Sequence, residues 1–335
     1  MKWFIKFIFL INILLVSLTV LAYLSPFVNP NLTWFFSFFG LGFPILLILN
    51  LGFILLWLML KPKYVLLSAL CLAIGFNAIK RTIGLHWPEE ELDGFELMTY
   101  NIGHSRYLLQ GKESASQLSG LKNFINETEP DVICLQERAK NQQPLYDDIF
   151  KEYTIYPDEL IGTCIYSKWP VVNHGNIYFD TNAHNASWAD IKVRDKTIRV
   201  YSIHLSSNKV KKMSDDLKEM WDESKFILDK YNYHAIKRTE QYLEIREHAK
   251  NSPHPVILAG DFNDMPQSYL YGLINKDFCD LFINHGSGLI KTHESSMPGL
   301  RIDYIFHDTS LASLGQKIFR EKYSDHYALS GFFDL

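Results

Sequence analysis

Apolar and polar positions divide this chain into two stretches of opposite texture. Its beginning holds three apolar runs: residues 3–24, whose only charge is Lys6, residues 33–60, which carry none, and the shorter residues 64–79. A bilayer-spanning helix needs roughly 20 apolar residues, with a range of about 17–25. The first two runs meet that length. The third meets it only if Lys80 and Arg81 snorkel and the span borrows from the residues after them. The pattern therefore predicts spans at about 3–24, 37–60 and 64–82, within a membrane anchor of residues 1–85. A cleaved signal peptide fits the first run poorly, because its apolar core is too long and another apolar run follows. A helix buried in a soluble core would not stay uncharged from 33 to 60.

From Leu92 onward the period shortens, and short β-rich runs alternate with loops and helical stretches. FELMTYN ends on Asn101, DVICLQE on Glu137 and TIRVYSIH on His204, while PVILAGDFN brings Asp261 and Asn263. RIDYIF carries Asp303, and the last apolar run follows Asp325 and His326. Polar groups at the ends of buried strands are how a rigid sheet presents functional side chains along one rim. Between strands, residues 114–130 place Leu118, Leu121, Phe124 and Ile125 on one helical face. Residues 214–251 read as one or two helices, opened by an N-cap at Ser214-Asp215-Asp216. The whole is a mixed α/β domain over residues 92–335, without internal repeats.

Charge sharpens the division. No acidic residue precedes Trp87, and the only basic ones before it are Lys2, Lys6, Lys61, Lys63, Lys80 and Arg81. The later region holds all 37 acidic residues and 27 of the 33 basic ones, a net charge of −10. A bilayer is thus the expected partner of the first region. An acidic domain has little of the counterion-release drive behind non-specific nucleic-acid binding. Lys2 and Lys6 place the amino terminus in the cytoplasm, the uncharged loop 25–31 lies outside, and Lys61 and Lys63 mark the return. Three spans, the preferred count, put the later domain on the extracytoplasmic side, although Lys80 and Arg81 argue the other way. Two spans would leave it in the cytoplasm. The spans lack Asp, Glu and His, which excludes a transport pathway. The four cysteines (Cys71, Cys134, Cys164 and Cys279) form no disulfide framework and no zinc spacing. Cys71 and Cys134 read as buried small hydrophobes.

Asp, Glu, Asn and His at strand ends supply what metal-assisted cleavage of a phosphate ester requires: ligands for a cation, a base for water, and donors for the phosphoryl oxygens. Oxygen donors without a His/Cys cluster favour a hard cation such as Mg²⁺ over zinc. TYN (99–101), LQE (135–137), IHLSS (203–207), GDFN (260–263), RIDYIF (301–306) and SDH (324–326), in that order, resemble the endonuclease/exonuclease/phosphatase superfamily. That superfamily includes deoxyribonucleases, abasic-site endonucleases, neutral sphingomyelinases and inositol polyphosphate 5-phosphatases. GTCIYSKWPV (162–171) is similar to its structural strand-turn marker, and the resemblance extends over about residues 94–335.

The resemblance implies a two-sheet α/β sandwich and a set of roles. Glu137 would be the principal Mg²⁺ ligand (Mn²⁺ being an alternative), with Asn101 orienting metal or phosphate and Asp325 at the metal site. Asp261 would position and deprotonate the attacking water, and Asn263 would hydrogen-bond the phosphoryl oxygens. His326 would contact the phosphate with its tautomer fixed by Asp303, and His204 would act on the phosphate or as general acid. Gly103 stands where some relatives carry an Asp ligand. Blander readings stand beside these. Asp303 could be a salt-bridge partner of Arg301. His104, His184, His234, His254 and His293 fit no motif and read as loop or surface residues. Lys209, Lys211 and Lys212 read as a solvated charge run. The expected function is a membrane-anchored, metal-dependent phosphoesterase with a lipid head group as favoured substrate. A tethered nuclease acting on nucleic acid is the alternative, and a scaffold without catalysis a remote one.

Overall fold

A computed structural model describes residues 2–33, 35–88, 92–105, 114–138, 143–157, 162–179, 184–208 and 217–335. Lys209, Lys211, Lys212 and the expected N-cap at Ser214 lie outside the described residues. The first two apolar runs form helices α1 (Lys2–Leu24) and α2 (Phe35–Leu60), both long and apolar enough to cross a membrane. Their few polar side chains meet one another. The Trp57 indole donates to Asn12 Oδ1 at 2.8 Å, Asn12 Nδ2 donates to Ser68 Oγ at 2.8 Å, and Asn50 Nδ2 donates to Thr19 Oγ1 at 2.9 Å. These buried polar groups thus satisfy one another across the helices.

The third run is broken. Helices α3 (Val65–Ile74) and α4 (Phe76–Thr82) meet at Gly75 with a bend of 68°. A Cβ on Gly75 would fall 1.9 Å from the Tyr23 ring, so only glycine lets α1 pass this close. Strand β1 (Ile83–Leu85) leads directly out of α4.

Beyond it come β2 (Phe95–Asn101), α5 (Ser114–Thr128), β3 (Val132–Arg138), α6 (Gln143–Ile149), β4 (Thr154–Tyr156), β5 (Gly162–Ser167) and β6 (Val171–Tyr178). Next are β7 (Asn185–Val193), β8 (Lys196–His204), α7 (Leu217–Lys250), β9 (Val256–Asp261), α8 (Tyr269–Ile274), β10 (Cys279–Asp280), α9 (Leu281–His285) and β11 (Ser287–Leu289). The chain closes with β12 (Asp303–His307), β13 (Ala312–Ile318) and β14 (Leu329–Asp334).

Two six-stranded sheets face each other, ordered β10-β12-β9-β8-β7-β6 and β13-β14-β2-β3-β5-β4. Each is antiparallel except for one parallel pair, β8 with β9 and β2 with β3. The alternation of the strands explains the layers. Leu97, Val132 and Cys134 of one sheet meet Ile191, Val200, Ile257 and Ile305 of the other in a dry interior. The next residues along, Met98, Ile133 and Leu135, face outward under Leu121, Phe124 and Ile125 of α5. Tyr201, Ile203 and Leu258 on the opposite outer face lie under Tyr242 and Ile245 of α7 and Leu270 of α8. The domain is therefore an α/β sandwich, preceded by two apolar helices as the sequence predicts. Cys71 and Cys134 are both buried free thiols, in keeping with their expected reading.

Candidate active site

Strand register gathers the predicted residues. The parallel pairing of β8 and β9 sets His204 opposite Asp261, and the antiparallel pairing of β12 and β9 sets Asp303 opposite Asp261. Three strands thus end together on one sheet. Across the sandwich, Asn101 ends β2, and its amide Nδ2 lies 3.0 Å from Asp261 Oδ2 and 3.5 Å from Glu137 Oε1. Glu137 belongs to β3 but has a φ of 54°, at a register break between Leu135 and Arg138. That left-handed residue interrupts the strand's alternation and lets Glu137 turn in beside Asn101. Such strain in a non-glycine residue costs of order 1–3 kcal/mol and gathers at functional sites.

Asp261 is the hub. Its Oδ1 accepts the Asn263 backbone N–H at 2.9 Å, its Oδ2 accepts Asn101, and His326 Nε2 stands 3.7 Å from Oδ2. Asn263 adopts φ 54°, and its Nδ2 donates to the Leu205 carbonyl at 2.9 Å, leaving the second amide proton for another acceptor. Burial and the neighbouring Asp303 carboxylate raise Asp261 well above the usual carboxylate range, against the opposing pull of His326. His326 Nδ1 sits 3.0 and 3.1 Å from the two oxygens of Asp303. Burial alone would lower its pKa, but Asp303 and then Asp261 outweigh burial and hold it up to about 10.

The alternative reading of Asp303 does not hold: Arg301 forms its ion pair with Asp280, at 2.8 Å, while Asp303 is engaged by His326. Thr292 Oγ1 accepts from both the Ile302 and the Asp303 backbone N–H groups and so fixes the acid in place. Asp325 lies on the rim beside Asn101, whose carbonyl accepts from Ser324 Oγ at 2.7 Å. Its Oδ1 accepts from Ser324 Oγ, and its Oδ2 is 3.9 Å from His293 Nε2.

Three histidines without a motif turn out to line the site. His104 Nε2 is 3.4 Å from Glu137 Oε2, the His184 ring lies 4.9 Å from that of His204, and His293 stacks edge-on against His326 at 4.7 Å. Pairing explains two of them. His184 immediately precedes Asn185, which pairs with His204, and His293 forms an isolated β-bridge with His326. His234 instead contacts Ser206 Oγ at 2.8 Å, one turn of α7 from Arg238, whose guanidinium pairs with Asp264. His254 stays in the turn after α7.

The donor set suits a divalent cation. Asp261, Asp303 and His326 offer ligand atoms within 4.8 Å of one another. Asp303 and His326 are already joined there by a hydrogen bond. The Glu137 and Asp261 carboxylates, both within reach of the Asn101 amide nitrogen, offer a hard cation a second place. His204 Nε2 flanks them, 3.5 Å from Glu137 Oε1 and 3.8 Å from Asp261 Oδ2. Carboxylates for a cation, a proton acceptor at Asp261 and a proton-bearing imidazole at His326 together meet the needs of phosphate-ester hydrolysis.

Fold and site together define the class: a divalent-metal phosphoester hydrolase on a two-sheet sandwich. Residues 98–326 match the Endonuclease/Exonuclease/phosphatase family, and the chain belongs to it. It is a metal-dependent phosphoric ester hydrolase, as the members of that family are. Residues 5–82 match a domain of unknown function (DUF8431). Among curated proteins none matches in sequence. Solved structures agree on the fold. TDP2 from D. rerio, complexed with a single-strand DNA product, is similar with a TM-score of 0.56 at 17% identity, over 72% of this chain and 100% of that one. A family protein from Bacteroides vulgatus gives a TM-score of 0.56 at 17% identity, over 72% and 99%. One from Bacteroides thetaiotaomicron gives 0.54 at 18%, over 73% and 100%.

Proposed function

We propose that this protein is a membrane-anchored, Mg²⁺-dependent phosphoesterase whose favoured substrate is a lipid head group. The observation that carries the reading is the convergence on buried Asp261 of Asn101, Asn263 and an Asp303-held His326, beside Glu137. In this reading residues 1–85 are the anchor, crossing the bilayer three times with the bent α3–α4 pair as the third pass. Residues 92–335 are the catalytic domain on the extracytoplasmic side. The uncharged loop after α1 and the lysines after α2 support that orientation.

Glu137 would hold the cation, with Asn101 and Asp325 as neighbours on the rim, and a cation bound there would supply neutralisation of phosphoryl charge. Asn101 also keeps the Glu137 and Asp261 carboxylates in register through its amide nitrogen. Asp261 orients water and accepts its proton, a task suited by its raised proton affinity. The free amide proton of Asn263 and the Nε2–H of His326 meet phosphoryl oxygens. Asp303 commits the His326 ring to that tautomer. His204 stands where it can protonate the leaving oxygen. Tethering raises the effective concentration of a substrate lying in the same membrane, and the net charge of −10 beyond Trp87 suits a long polyanion poorly.

A tethered nuclease is the second reading, favoured by the D. rerio relative solved with a DNA product. The test is Mg²⁺-dependent hydrolysis by the full chain in detergent, offered phospholipid and sphingolipid vesicles beside single- and double-stranded DNA, with His326→Ala as control. Head-group release that vanishes in the variant supports the lipid reading. DNA cleavage with untouched lipid overturns it in favour of the nuclease.

A further inference from the structure

We propose that the loop Thr292–Arg301 is seated in the bilayer interface and forms the membrane-facing rim of the catalytic site. The proposal rests on the reading that α1 and α2 cross a bilayer, and it specifies how the substrate reaches the site.

Helix α2 has 26 residues, about 39 Å at a rise of about 1.5 Å each, or roughly 9 Å more than a hydrocarbon layer of about 30 Å. Lys61 and Lys63 follow its last turn and hold that end at one boundary. Counting back from Leu60, Gly40 stands about 30 Å away, at the opposite boundary, and Pro44 about 24 Å away, some 6 Å inside it. Both positions touch the catalytic domain. A Cβ on Gly40 would fall 2.1 Å from the Gln267 carbonyl oxygen, and a Cβ on Gly299 would lie 3.6 Å from the Pro44 side chain. The catalytic domain therefore reaches the head-group layer on this side, and of these two contacts the one made by the 292–301 loop lies deeper.

The composition of that surface fits. Met297-Pro298-Gly299-Leu300 is an uncharged tip, and Gly299 approaches the Leu289 side chain. Leu289 pairs with Ile83 in the two-stranded β1–β11 ribbon, which continues to Leu85 and Trp87, exposed by 54% and 91%. An exposed indole beside apolar residues at the end of a membrane anchor is the composition of an interfacial belt. The other end of the same loop belongs to the active site, where Thr292 holds the Asp303 backbone and His293 packs on His326. From His293 to Gly299 the chain can extend no further than roughly 22 Å. A phosphoester whose hydrophobic tail stays in the bilayer can thus present its head group to His326 without leaving the membrane.

The test uses the full chain in phosphatidylcholine nanodiscs, with Cys279→Ser removing the one half-exposed thiol. A nitroxide is placed at Met297→Cys, and separately at Ser310→Cys on the exposed turn before β13. Collision with oxygen should exceed collision with a water-soluble nickel chelate at 297, and the order should reverse at 310. Equal, water-like accessibility at both sites overturns the seating, whatever the substrate proves to be. A second variant, Met297→Glu with Leu300→Glu, should lower the ratio of lipid to soluble bis(p-nitrophenyl) phosphate hydrolysis at least ten-fold. An unchanged ratio in an enzyme that does hydrolyse lipid overturns the rim role. A lipid-sheltered label in an enzyme that hydrolyses only DNA upholds the seating and refutes the lipid substrate.

Discussion

Replacing Asp303 by Asn tests the chemistry most directly, because the exchange keeps the shape and removes one charge. Asp303 is nearly fully buried and presents both carboxylate oxygens to His326 Nδ1, at 3.0 and 3.1 Å. A hydrogen bond to a charged partner contributes about 1.5–3 kcal/mol. If it is fully expressed in the transition state, its loss lowers kcat by about 10- to 150-fold. The pH profile should change with it, and the sign follows from the two histidine neighbours. His326 is held protonated up to about 10, against its own burial, by Asp303 first and Asp261 second. Without Asp303 the ring loses its proton at lower pH, so the alkaline limb moves toward neutrality. Asp261, no longer beside a second carboxylate, loses one of the two causes that raise it. The acid limb therefore moves down as well. Initial rates on bis(p-nitrophenyl) phosphate from pH 5 to 10 at saturating Mg²⁺, with the full chain in detergent, measure both effects. A kcat within three-fold of wild type and unmoved limbs would refute the Asp303–His326 couple as a working unit.

Three further outcomes follow from the same geometry. A group whose folded-state pKa is raised stabilises fully below its unfolded value and loses that contribution as pH climbs through the folded one. Metal-free wild type should therefore exceed His326→Gln in stability at pH 6, by on the order of 5 kcal/mol at most, and the gap in melting temperature should close as pH approaches about 10. Gly260 has a φ of 148°, and a Cβ there would fall 2.0 Å from the Ile203 carbonyl oxygen. Gly260→Ala should cost about 3 kcal/mol or more in urea unfolding of the detergent-solubilised chain; a cost under about 1 kcal/mol would show that β8 and β9 can part locally. Glu137→Gln should weaken Mn²⁺ binding, followed by the loss of the free-ion EPR signal, by about ten-fold or more. Unchanged affinity would move the cation to the Asp261–Asp303–His326 side.

Much of the site was legible in the sequence because strands that are apolar and buried on both faces close on polar and charged residues. A carboxylate closing VICL, or an Asp and an Asn closing VILAG, has no apolar role to play, and register brings these ends together. Where side chains meet through neighbouring strands or loops, sequence spacing is silent. His184 reaches His204 only because β7 is the neighbour of β8, and His293 reaches His326 only through a bridge across more than thirty positions. His104 depends on two consecutive left-handed residues, Gly103 and His104, that turn the chain back toward Glu137. Arg301 was misleading for the same reason: its nearest acid in sequence is Asp303, but its partner in space is Asp280.

The junction between the apolar helices and the domain was the least legible part, and its physical cause is the broken third helix. Seven residues of α4 leave unsatisfied carbonyls at its C-terminal end. Arg301 Nη2 donates to one of these, the Arg81 carbonyl, at 2.8 Å, and Gln267 Nε2 donates at 3.1 Å to the Ala78 carbonyl, which also accepts from Thr82 Oγ1. Both donors come from catalytic segments, one four residues beyond Asn263 and the other two residues before Asp303. The guanidinium also brings a positive charge to the negative end of the helix dipole. Helix α4 is thus tied by hydrogen bonds to the segments that follow Asp261 and precede Asp303.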